Sequence, residues 1–190
     1  MADGGVQGIG GGGAIIWLIL LAVLGLWMLG AYNRLTSLRA AILTAWAPMD
    51  RTLGLRAEAV QALLTAGQQP LADEPAALDA VASALAQVSQ AAELVRKRPV
   101  LADSVSELAR ADAVLFAVSQ RLWALAELHP QLRSDPVVQE ALGVLREQRQ
   151  HQQFARQAFN DAVGRYNQAL AEFPTRLLGP VFRFEPAGKL

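Results

Sequence analysis

From Ala14 to Tyr32 the chain reads AIIWLILLAVLGLWMLGAY, a run with no charged side chain and few polar ones. As a helix rising ~1.5 Å per residue, such a run just crosses a hydrocarbon core of ~30 Å. That length of apolar surface needs either lipid or a large protein core around it, so it constrains the fold more than any other feature. A cleavable signal peptide starts from a basic region and has a shorter apolar stretch. The preceding MADGGVQGIGGGG carries one acid, Asp3, and no base. Residues 14–32 are therefore expected as a transmembrane helix and residues 1–13 as a glycine-rich external tail. Trp17 and Tyr32 stand near the two ends, where amphipathic rings favour the interface. Basic residues are missing before the span and recur after it at Arg34, Arg39, Arg51 and Arg56. This asymmetry predicts an external N-terminus and a cytoplasmic C-terminal part at a bacterial inner or plasma membrane; the alternative topology has that part facing the periplasm. Gly25 and Gly30 are not spaced as a GxxxG pair, so the span carries no dimerisation signal.

The rest of the chain reads as all-α. Ala, Leu, Gln, Glu and Arg abound while Ile, Tyr and Thr are sparse, which favours helix over strand. Lys plus Arg and Asp plus Glu are 17 each, so there is no basic footprint for nucleic acid. Cysteine is absent, which excludes disulfides, thiolate metal sites and a cysteine nucleophile. GGGG near the start precedes no Lys-Ser/Thr and is not a phosphate-binding loop.

Four helices follow from the apolar spacing. Leu35, Leu38, Ile42, Trp46, Met49, Leu53, Val60 and Leu63 or Leu64 recur near a 3.5-residue period, so the membrane helix continues into the domain. Pro48 interrupts it and predicts a kink near Thr44 to Ala47. Gly67, Pro70 and Pro75 mark a turn, with Asp73 as candidate N-cap. A second helix then runs from about Pro75 to Arg96 with Leu78, Val81, Leu85, Val88 and Leu94 inward. Ser104 and Glu107 fit a capping box opening a third helix, whose core candidates include Leu108, Val114, Leu115, Val118, Leu122, Trp123 and Leu125. HPQLRSDP is a turn; Asp135 caps a fourth helix with Pro136 at its first position, and Pro174 stops it after Phe173. Such helices hide their stripes as an antiparallel up-and-down four-helix bundle over residues 33–174. The tail, 175–190, holds Leu177, Leu178, Val181, Phe182 and Phe184, too apolar to stay solvated; it is expected on the bundle, the membrane or a partner.

In the fourth helix Phe159, Tyr166 and Phe173 lie a heptad apart on one face and read, with Trp46, as core. Asn160 and Asn167 fall at the margin of that stripe, where amides set register by bonding neighbouring helices. A polar groove for a peptide is the competing reading. His129 and His151 lack the close ligand spacing of a metal site; a metal-binding or hydrolytic centre needs Glu127, His129 and Asp135 to converge across a turn.

YN-x-L-x-x-L with AW and Asp50 downstream, LAELHPQL at 125–132, FARQAFNDAVGRYNQALAEFP at 154–174 and the final VFRF together resemble the LemA family. The resemblance implies a membrane anchor followed by an antiparallel four-helix bundle, no established enzymatic activity and no cofactor. It also implies a membrane-protein partner, with membrane proteases of the HtpX type as a candidate. His129 replaces a Tyr common in the family, Pro48 a polar residue, and Arg183 the glycine often found between the last two phenylalanines. The expected function is that of a non-enzymatic scaffold or adaptor at the bilayer. Its candidate contact residues are Arg149, Gln152 and Gln153 on the last helix and Phe182 and Phe184 in the tail.

Overall fold

The computed structural model describes residues 10–173, 175–177, 179 and 182–190, with side chains described from residue 13 onward, Leu177 excepted. Residues 1–9, most of the expected external tail, and Pro174, Leu178 and Val181 lie outside the described residues. Every regular element among the described residues is helical.

Helix α1 spans Gly10–Gly67, 58 residues, which at 1.5 Å per residue is about 87 Å long. It begins inside the glycine run rather than at Ala14. Its first part is long and apolar enough to cross a membrane, and the rest of the protein leaves it bare: Trp17 is 69% and Leu26 71% exposed. From Leu35 onward the same helix carries a buried stripe. At Pro48, where a kink is expected, α1 stays helical and does not end. Pro48 deprives the Thr44 carbonyl of its amide donor, but Trp46 and Met49 on either side are buried, and that packing offsets one missing bond.

Helix α2 spans Pro75–Lys97, with Pro75 in its first turn and Arg96 and Lys97 in its last. Glu74, not Asp73, takes the N-cap position and makes no side-chain cap bond, since proline at the first helical position fixes where the helix starts. Helix α3 spans Ala102–Glu127 and starts ahead of the expected capping box. Leu101 is its N-cap, so Ser104 already lies inside the first turn and no cap bond forms. The segment expected as a plain turn holds a short helix, α4, Pro130–Ser134. Helix α5 spans Pro136–Ala171, and here the expected cap is present: Asp135 accepts a hydrogen bond from the Val137 amide at 2.7 Å. A 3-10 turn, Thr175–Leu177, follows.

Helix α1 packs along α5 and α2, α2 packs on α3, and α4 bridges α3 and α5. Rising numbers on α1 meet falling numbers on its neighbours. Arg34 pairs with Glu172 and Trp46 stacks edge-on against Phe159, while Asp50 binds Arg96. Asp112 of α3 meets Gln152 of α5, and Leu122, later on α3, lines a cleft with Leu142, earlier on α5, so these helices are opposed as well. Consecutive long helices thus alternate in direction, as short connections require, and the α3–α5 flank is the loosest. Leu35, Ile42, Met49 and Leu63 from α1, Leu108, Leu115 and Leu122 from α3, and Phe159 and Tyr166 from α5 are all buried. Leu94 and Val114, expected in the core, are 46% and 47% exposed, and the adjacent Val95 and Leu115 take the inward positions. Phe173 is likewise exposed, because α5 ends at Ala171 and Glu172 is extended, so the heptad face does not reach it.

Candidate functional site

Heptad counting along the buried stripes exposes a polar centre. On α1, Leu35, Ile42, Met49 and Leu63 are spaced by sevens, and the missing member is Arg56. On α3, Asp112 lies midway between buried Val105 and Ser119. On α5, Gln152 is one heptad before Phe159. These three meet: the Arg56 Nη1 donates to Asp112 Oδ1 at 2.8 Å, and Gln152 Nε2 donates to Asp112 Oδ2 at 2.9 Å. Arg56 and Asp112 are 15% and 25% exposed. A partly buried carboxylate receiving a donor on each oxygen ties three of the four long helices together at one level. Shifting any helix by a turn separates the donors from it, which is how a buried polar layer selects register. The role expected of Asn160 and Asn167 is filled here by Arg56, Asp112 and Gln152, the last expected instead as a contact residue. Its mark in the sequence is a charge, Arg56, at a core heptad position.

The asparagines do something else. Asn167 Nδ2 donates to the Ala187 carbonyl, and Ala187 N donates back to Asn167 Oδ1, both at 2.8 Å. Asn160 repeats the pattern with Leu190, at 2.9 and 2.8 Å. Each primary amide presents a donor and an acceptor side by side, as a peptide unit does, so it completes the hydrogen bonding of one extended residue. The spacing matches as well. Seven helical residues rise ~10.5 Å, and three extended residues advance ~10 Å, so Asn160 and Asn167 meet Leu190 and Ala187 in step. Next to Asn167, the Tyr166 hydroxyl donates to the Glu185 carbonyl at 3.0 Å. Burial pushes the Tyr166 phenol above its ordinary value; Arg39 opposes the shift and Glu185 adds to it.

The tail, whose destination the sequence left open, therefore lies antiparallel on α5. Phe184 and Ala187 are buried. Gly188 passes so close to α3 that a Cβ there would stand 2.6 Å from the Ala102 Cα. Phe182 and Phe184 close on Tyr32, with ring centroids 5.2 and 5.9 Å away, where the apolar part of α1 gives way to the bundle. Phe184 is thus part of the folded unit rather than a free contact residue, while Phe182 stays 41% exposed. Arg183 between them has φ 55°, a left-handed conformation that glycine adopts without strain.

The remaining candidates separate. Arg149 lies over the Phe116 ring at 5.7 Å, and Gln153 is exposed. Trp46 is buried, and its indole N–H has no hydrogen-bond partner among the described residues. Glu127 ends α3, His129 precedes α4 in an extended conformation, and the Asp135 carboxylate is engaged by the Val137 amide. Among the described residues no cluster of three or more His, Asp and Glu is placed to hold a metal ion.

The fold and the clamp define an all-α protein in which one long apolar N-terminal helix leads into helices sealed by their own C-terminal tail. The chain belongs to the LemA family, whose model matches residues 45–190. That match takes in the polar centre and the clamped tail and starts after the apolar segment. No curated protein matches the chain.

Proposed function

We propose that this protein is a membrane-anchored adaptor: α1 holds the helical domain at the bilayer surface, and the domain binds another membrane protein without catalysing a reaction. The observation that carries the reading is the continuity of α1. One uninterrupted helix bears both the bare apolar segment and the core stripe of the domain, so the domain is fixed to its anchor and is not carried on a flexible linker. Confinement near the bilayer raises its effective concentration for membrane partners. The arginine asymmetry supports a cytoplasmic domain and an external N-terminus. The outward part of α5 around Arg149 and Gln153, with Phe182 beside Tyr32, is the proposed contact face, and a membrane protease of the HtpX type is a candidate partner.

Photo-crosslinking in intact cells from position 153, compared with a position on α2 such as Gln87, tests the adaptor reading. A discrete adduct with one membrane protein from position 153 but not from 87 is expected; featureless labelling from both sinks it. Reporters fused at each end test orientation separately. A C-terminal reporter active outside the cytoplasm overturns the assigned topology and leaves the adaptor reading standing.

A further inference from the structure

At the end of the bundle remote from the apolar segment, the loose α3–α5 flank opens into a cleft of about 510 Å³. Its floor is apolar and built from several elements: Leu63 of α1, Leu71 of the following turn, Leu122 and Trp123 of α3, and Leu142 and Leu145 of α5. Arg133, Arg146 and Arg149 stand at its rim with Glu127. None of the three guanidiniums has a carboxylate within ion-pair distance among the described residues. The exposed arginines of the rim outnumber its acid three to one.

We propose that this cleft binds a single-chain amphiphile with an anionic head, the alkyl chain on the leucine floor and the head among Arg133, Arg146 and Arg149. Size selects this occupant over a peptide helix. A helix ~10 Å across occupies ~420 Å³ per 5.4 Å turn, so the cleft encloses no more than about one turn of a helix. By the measure in which a 150 Å³ apolar cavity takes benzene, the same volume takes roughly 20 non-hydrogen atoms, the size of an acyl chain of a dozen or more carbons with its head. Guanidiniums read carboxylates and phosphates through paired N–H donors, and this argues for an anion over a neutral or cationic head. The site shares Arg149 with the proposed contact face, but its leucine floor, Arg133 and Arg146 rest neither on the adaptor reading nor on the side of the membrane on which the domain lies.

The test uses the full chain in lipid nanodiscs with a diazirine-bearing dodecanoate, the adducts being mapped by mass spectrometry. Adducts on residues 122–145 are expected, saturable and displaced by dodecanoate or dodecyl phosphate, the stronger competitor reporting which head the site prefers. Arg146→Glu, at an exposed position, is expected to weaken displacement at least ~10-fold through loss of a charge-assisted bond. Leu142→Trp is expected to abolish the adducts by filling the floor. A circular-dichroism melt of each variant confirms that it is folded, and Arg146→Glu serves alone if Leu142→Trp is not. Adducts confined to the apolar segment overturn the proposal, as does equal displacement by dodecyltrimethylammonium or an Arg146→Glu protein that binds as before.

Discussion

Replacing Asn167 by alanine removes both hydrogen bonds to Ala187, each 2.8 Å long. At ~0.5–1.5 kcal/mol net for each bond, the docked tail loses ~1–3 kcal/mol. The further penalty for burying unpaired groups of Ala187 is escaped if the tail peels into water, so the loss cannot exceed the free energy of docking. A working value of ~2 kcal/mol corresponds to a roughly 30-fold rise in tail opening. Amide hydrogen exchange on the full chain in nanodiscs reads this directly, because Ala187 N and Leu190 N are themselves clamp donors. In Asn167→Ala both amides should exchange faster, since Asn167 lies nearer the fixed aromatic end of the tail. In Asn160→Ala the effect should stay with Leu190. Combining the two should cost less than their sum, because a tail already released has nothing more to lose. Unchanged exchange at 187 and 190 in Asn167→Ala would refute the clamp.

Gly188→Ala should lower the melting temperature by forcing the tail or the start of α3 to shift: the added Cβ meets backbone at 2.6 Å, and overpacking of this kind costs ~1–3 kcal/mol. Arg183→Gly should do the opposite, raising stability by about 1 kcal/mol in a denaturant titration by relieving a left-handed residue at φ 55°. Asp112→Asn should destabilise by ~1–3 kcal/mol, leaving the partly buried Arg56 uncompensated; a double-mutant cycle with Arg56→Met should show strong coupling, and additivity there counts against the polar centre. Tyr166 sets an alkaline limit. Its phenol is raised in the fold, so the folded state holds its proton more tightly than the unfolded chain; the associated stability is fully present below the ordinary tyrosine value near 10 and falls as pH rises beyond it. Tyr166→Phe should lose about 1 kcal/mol at neutral pH and remove this tyrosine's share of the alkaline decline in melting temperature.

What could be read without coordinates was periodic or compositional. The bare apolar run, the heptad leucines of α1 and α3, and the Asp135-Pro136 start of α5 announce themselves because helix geometry turns sequence spacing directly into a shared face. Helix ends were less legible. Ser104 and Glu107 have the residues of a capping box, but α3 starts earlier, with Gly188 of the tail pressed against Ala102. Phe173 keeps the spacing of Phe159 and Tyr166 but falls beyond the last helical turn.

The asparagines mark the boundary between the two kinds of knowledge. Local spacing put Asn160 and Asn167 at the edge of a core stripe, and that is where they are. Their partners are the backbones of Leu190 and Ala187, 30 and 20 residues further along, and no local pattern reports that an extended segment returns to lie on a helix. The same holds for Arg56, Asp112 and Gln152: heptad spacing puts Arg56 on the core stripe of α1, but no local pattern reports that Asp112 and Gln152 meet it there. Periodicity along one helix says which way a residue faces; which residues of other helices stand opposite it follows from how the whole set packs.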